Sequence, residues 1–175
     1  INTSSHNYSV EGDYTITISG VIEGFTFQVD DTSLLDIINI VQWGSLKFTL
    51  PGLDFGAEFD GARNLNITAT DVPNLEDKSI YARMFAECES LVWNSSVNNW
   101  DMSLATDLNS MFFYANSFNQ DLNGWDVSNV TNLALTFRNL NFNGDITNWD
   151  VSSCVSLFQT FSHSFNRDVS NWDVS

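Results

Sequence analysis

Trp125-Asp126-Val127-Ser128-Asn129-Val130-Thr131-Asn132-Leu133 decides the reading of this chain, because its first residues recur. Trp100-Asp101-Met102, Trp149-Asp150-Val151 and Trp172-Asp173-Val174 repeat it, with successive tryptophans 25, 24 and 23 residues apart. Self-similarity at a period of roughly 20–50 residues marks one structural unit stacked on copies of itself. Two spacings inside the unit are rigid. From each Trp to a phenylalanine is 12 residues (Trp100 to Phe112, Trp125 to Phe137, Trp149 to Phe161), and from a Phe-Asn pair to the next Trp is 7 (Phe118, Phe142 and Phe165). The length differences fall between the two phenylalanines, in gaps of 6, 5 and 4, so a surface loop is expected there.

Within the 12-residue stretch, Val130, Leu133 and Phe137, then Cys154, Leu157 and Phe161, fall at i, i+3 and i+7. That spacing predicts one face of a short helix, with Ser128-Asn129 or Ser152-Ser153 as N-caps. Around the tryptophan the pattern becomes alternating: Trp149 in, Asp150 out, Val151 in. Each unit therefore reads as strand, turn, short helix and loop. Fainter copies lie upstream. Thr70-Asp71-Val72-Pro73 takes the Trp-Asp-Val-Ser place, with Asn64 and Ile67 before it and Phe85 after it, and Ile40, Trp43 and Phe59 read as a first turn. Six strands stacked at about 4.8 Å give a core roughly 25 Å long.

Trp125 to Leu133, Met111-Phe112 and Phe142-Asn143-Gly144-Asp145-Ile146 resemble the units of BspA-like leucine-rich-repeat surface proteins. The likeness covers residues 34–175. It implies an α/β solenoid, a right-handed leucine-rich-repeat-like stack with a parallel sheet on one face and short helices on the other, in secreted or surface-exposed proteins used for adhesion or binding. Residues 1–30 differ in kind, for Tyr14-Thr15-Ile16-Thr17-Ile18 and Phe25-Thr26-Phe27-Gln28-Val29 alternate strictly and predict a β-hairpin. With His6-Asn7-Tyr8 and Gly12-Asp13-Tyr14 they resemble the closing strands of a PKD-type Ig-like domain, so the domain reading is 1–30 hairpin cap or Ig-like remnant and 31–175 solenoid of about six turns. A start at Ile and a stop inside a repeat suggest an excerpt of a longer polypeptide.

With 43% apolar residues, 14 Phe and 6 Trp, the chain has ample material for one aromatic core. A net charge of −16, from 22 acidic against 6 basic side chains, argues against nucleic acid and anionic membrane as partners. No apolar run reaches the roughly 18 residues of a membrane span. Cys88 and Cys154 map to core positions about three turns apart, near 14 Å and beyond disulfide reach, so two buried free thiols are expected.

Asp71, Asp101, Asp126, Asp150 and Asp173 each follow the strand position and point outward on adjacent turns. Neighbouring carboxylates about 5 Å apart repel by roughly 1 kcal/mol even in water. Either each Asp closes an Asx-type turn onto the residue two ahead, such as Ser103, Ser128 or Ser152, or cations such as Ca²⁺ lie along the row; the turn is favoured. Asn64, Asn94, Asn119, Asn143 and Asn166 form a second row, read as a structural amide ladder, and Asp121, Asp145 and Asp168 a third, read as turn residues. Of the sequons, Asn2, Asn7 and Asn129 are the glycosylation candidates. No nucleophile elbow or metal-binding His/Cys spacing points to an enzyme, and no cofactor is implied. The function read from the sequence is an extracellular or cell-surface binding module for a protein or glycan ligand, or else a structural subunit that stacks with copies of itself into a fibre or surface layer.

Overall fold

The computed structural model describes residues 12, 14, 15, 17, 37–49, 54–162 and 164–174. The expected hairpin and Ig-like remnant of residues 1–30, with Asn2 and Asn7, therefore lie almost wholly outside the described residues. Two short strands, β1 (Asn39–Ile40) and β2 (Asn66–Ile67), pair in parallel with Asn39 opposite Asn66 and Ile40 opposite Ile67. Single parallel bridges carry the stacking onward. Ile67 meets Trp93, and Ile80, Asp107, Asn132 and Ser156 join in one row at steps of 27, 25 and 24 residues. Each coil thus returns over its predecessor after about one sequence repeat.

The stretch expected to be helical is instead a run of linked turns. Tyr81, Arg83, Phe85 and Glu87 donate their backbone N–H groups to the carbonyls of Asp107, Asn109, Met111 and Phe113 in the next coil, at 2.6–2.9 Å. Between them, Met84, Ala86 and Cys88 donate back to residues three earlier, at 3.0–3.3 Å. Leu133, Leu135 and Phe137 repeat the arrangement by donating to Ser156, Phe158 and Thr160. The geometry requires left-handed backbone at residues that are not glycine: Arg83 and Glu87, Ser110 and Tyr114, Leu135 and Asn139 all have φ between 55° and 62°. Each costs about 1–2 kcal/mol, which the inter-coil hydrogen bonds of otherwise stranded amides offset.

The α/β leucine-rich-repeat-like solenoid is therefore overturned. There is no α-helix among the described residues, and the regular strands are two residues long. One five-residue 3-10 turn, Ser95–Asn99, is capped by the Asn94 side chain accepting from the Ser96 N–H at 2.8 Å. Val130, Leu133 and Phe137 do face inward, but turns with i→i−3 bonds put them there rather than a helix. The Trp-Asp-Val segments are not strands either, although Trp125 and Val127 are buried and Asp126 is exposed, as alternation demands.

Rows of rings run through the coils. Phe59, Phe85, Phe112, Phe137 and Phe161 stack nearly parallel with centroids 5.3–5.9 Å apart. Phe118, Phe142 and Phe165 form a second row at 6.2 Å, and Trp125, Trp149 and Trp172 a third at 6.2–6.3 Å. Within a coil the two phenylalanine rows touch at 3.9–4.0 Å. Such offset stacking adds to simple area burial. The indole N–H groups are also used across coils: Trp125 Nε1 donates to the Val97 carbonyl and Trp149 Nε1 to that of Leu122, at 2.7 and 2.9 Å. Cys88 is buried as expected, whereas Cys154 is only half-buried; both are free thiols.

Candidate functional site

The outward rows are tied down locally. Asp101 Oδ1 accepts from the N–H and hydroxyl of Ser103, Asp126 Oδ1 does the same with Ser128, and Asp150 Oδ1 accepts from the Ser152 N–H, at 2.6–3.1 Å. These bonds from Ser103 and Ser152 hold the carboxyls of Asp101 and Asp150 below the usual carboxylate range. Asp173 is exposed on the last described coil. Among the described residues no group of three or more His, Cys, Asp or Glu side chains is arranged to hold a metal ion.

The upstream coils sit in a different register from the one the motif suggests. Since Ile67 bridges Trp93, Thr68 stands beside Asn94, and since Ile80 bridges Asp107 at a step of 27, Asn74 rather than Asp71 takes the aspartate place: Asn74 Oδ1 accepts from the Glu76 N–H at 2.9 Å. Asp71 instead reaches across to the preceding coil, accepting from the N–H groups of Trp43 and Gly44 at 2.8–3.2 Å. Asn64 likewise falls outside the asparagine row, and Asn39 Oδ1 accepts from the Thr68 N–H in that row. Farther along, Asn119 Oδ1 accepts from the Asn143 N–H and Asn143 Oδ1 from that of Asn166, at 2.7 and 3.3 Å. The row therefore joins side chain to backbone between coils, not amide to amide. Asp121 joins the Asp145 N–H in the same way, while Asp145 and Asp168 close turns onto Thr147 and Ser170. Asn129 is exposed, with Nδ2 donating to the Ser103 carbonyl.

A second locus went unread in the sequence. Lys78 is fully buried, and its Nζ donates to Glu58 Oε1 at 2.6 Å and to the carbonyls of Phe55 and Ile80 at 2.6 and 2.7 Å. Asp54 Oδ1 lies 3.4 Å from the same nitrogen. Asp54 Oδ2 accepts three bonds, from the Ser79 N–H, the Ser79 hydroxyl and the Ile80 N–H, at 2.6–2.9 Å. The Tyr81 ring covers Nζ at 5.0 Å. Burial pushes the Glu58 carboxyl up despite Lys78, and burial with the nearby carboxylates of Asp54 and Glu58 pushes up the Tyr81 hydroxyl. The available signal was Lys78 itself, one of only 6 basic residues, set in coils too degenerate to align.

Residues 78–175, which hold the coils with the Trp-Asp motif, match the model of a family described as "Mycoplasma protein of unknown function, DUF285". The chain belongs to the DUF285 family. DUF285 is a BspA-like surface-repeat family, and the match begins at Lys78 and covers all the coils with the Trp-Asp motif. No curated protein sequence and no solved structure matches the chain. The buried Lys78 cluster thus straddles the start of the DUF285 match, since Asp54 and Glu58 lie before it.

Proposed function

We propose that this DUF285 chain is an extracellular or cell-surface adhesion module whose stacked coils present a repeated polar surface to a protein or glycan. The observation that supports the reading is the equivalence of outward side chains from coil to coil. Asp101, Asp126 and Asp150, each braced by its own serine, stand in the same place on successive coils. A periodic surface of fixed side chains suits an extended or repetitive ligand, because each coil adds the same small contact and linked contacts multiply affinity. The reading assigns no turnover chemistry to the chain. It is tested by binding the 175-residue chain to arrayed glycans and extracellular-matrix proteins and repeating each hit with an Asp101→Ala, Asp126→Ala, Asp150→Ala triple variant. Binding that weakens in the variant supports the module, and an array with no saturable hit sinks it.

A second reading, a structural subunit that stacks into a fibre or surface layer, rests on the row of parallel bridges through Ile80, Asp107, Asn132 and Ser156, a coil-to-coil pairing that a second copy would extend. Sedimentation velocity over a hundredfold concentration range separates the two. Long assemblies that grow with concentration support the fibre, and a monomer throughout supports the ligand-binding module.

A further inference from the structure

Lys78, Asp54 and Glu58 form an arrangement that a simple ion pair does not explain. One ammonium faces two carboxylates in a place where the Lys78 side chain has 0% exposure, Glu58 3% and Asp54 19%. The group carries a net negative charge, and among the described residues Glu58 Oε2 and the Tyr81 hydroxyl are buried without a hydrogen-bond partner. Removing such charges from water costs several kcal/mol per ion, and geometry this incomplete offsets it poorly. The two oxygens of Asp54 are also treated differently. Oδ2 sits among two backbone N–H groups and a hydroxyl, the surroundings that stabilise an oxyanion, while Oδ1 faces the lysine nitrogen.

We propose that Lys78 and Asp54 are joined in the mature protein by an amide between Nζ and Cγ, an intramolecular isopeptide bond that the folded chain makes itself. Glu58 Oε1, 2.6 Å from Nζ, takes a proton from the ammonium and so frees its lone pair. The amine attacks Asp54 Cγ, whose Oδ1 lies 3.4 Å from Nζ, by closing to the separation of about 3–3.5 Å from which such additions proceed. Charge that develops on Oδ2 is met by the Ser79 N–H, the Ser79 hydroxyl and the Ile80 N–H. The Nζ–Cγ bond forms, the Cγ–Oδ1 bond breaks, and Oδ1 leaves as water with two protons that began on Nζ, relayed by Glu58. No electrons are exchanged and no co-reactant is needed. The product is a neutral amide whose oxygen is Oδ2, so the charges of Lys78 and Asp54 both disappear; Glu58 is left as the carboxylate it began as and takes up one proton from solvent, toward the neutral form that burial favours.

Intact-mass spectrometry of the 175-residue chain under denaturing conditions tests the bond directly. The expected mass is that of the sequence less one water, and proteolysis is expected to release one branched peptide linking Lys78 to Asp54. The unmodified mass after prolonged incubation of the folded protein, a water lost without that branched peptide, or a link to Glu58 in place of Asp54 would each overturn the proposal. Glu58→Gln keeps a side chain of the same shape, and its fold is checked by near-ultraviolet circular dichroism. A folded E58Q chain at full mass supports Glu58 as the proton carrier; a folded E58Q chain that condenses as fast as the parent removes that role.

Discussion

At the scale of single residues the coils leave little room between backbones. A Cβ added at Gly144 meets the Gln120 carbonyl oxygen, and one added at Gly124 meets that of Asn98. Both obstacles are main chain of the preceding coil, which cannot swing aside as a side chain can. Gly144→Ala is therefore expected to lower stability by about 1–3 kcal/mol, read as a fall in denaturation midpoint. The opposite sign is expected at Gln159, which is exposed and has φ 50°. Gln159→Gly removes a left-handed strain of about 1 kcal/mol with little packing to lose, and a raised midpoint checks it. Buried Thr136 shares its one hydroxyl proton between the carbonyls of Leu108 and Leu133, at 2.9 and 2.7 Å, and Thr160 donates its own to Leu133 at 3.0 Å. Those hydroxyls explain how polar residues sit in an aromatic core, since a buried hydroxyl is tolerated when it is bonded.

At the scale of the repeating element, Phe137 is the hub. Its ring stacks on Phe112, Phe142 and Phe161 at 3.9–5.8 Å and leans on Trp149 at 6.0 Å. Phe137→Ala is expected to cost about 3–5 kcal/mol, whereas Phe158→Ser, on a ring that is 63% exposed, is expected to cost far less; urea titration of both variants checks the contrast. The sequence showed where such rings would lie, because the two fixed spacings to the tryptophans locate each stacked phenylalanine of the last three coils. It did not show what backbone carries them. Val130, Leu133 and Phe137 have helical spacing because consecutive turns with i→i−3 bonds bring nearly the same residues inward. What distinguishes the two backbones is left-handed φ at Leu135 and Asn139, and neither position is a glycine that would have announced it. The misplacement of Asp71 and Asn64 has another cause: those coils have lost the motif, and their alignment is fixed instead by the parallel bridges Lys47–Asn74, Ile67–Trp93 and Ile80–Asp107. Lys78 stayed hidden because Asp54 and Glu58 lie a whole coil away in sequence and no local pattern joins them to it.

At the scale of the whole molecule, the charge of −16 acts against compactness while particular carboxyls act for it. Asp101, Asp145, Asp150 and Asp168 are held low, chiefly by hydrogen bonds from Ser103, Thr147, Ser152 and Ser170, so each binds its proton less tightly in the folded chain than in the unfolded one. Their contribution is present above the ordinary 3.8 and is lost as pH falls through their lower folded values. Asp60 has the other sign: burial raises it despite Arg83, so folding gains as pH falls toward the carboxylate range. Melting temperature is therefore expected to rise from neutral pH to about pH 5 and to fall steeply below about pH 4, and thermal melts across that range check it. The indole row has an optical consequence. Successive rings of Trp125, Trp149 and Trp172 lie within 8° of parallel and just over 6 Å apart, so neighbouring excited states couple and light absorbed by one is passed along the row. These three rings should respond as one chromophore array rather than as isolated tryptophans, and any coil that slips out of line would show in the near-ultraviolet spectrum before it showed as a change of shape.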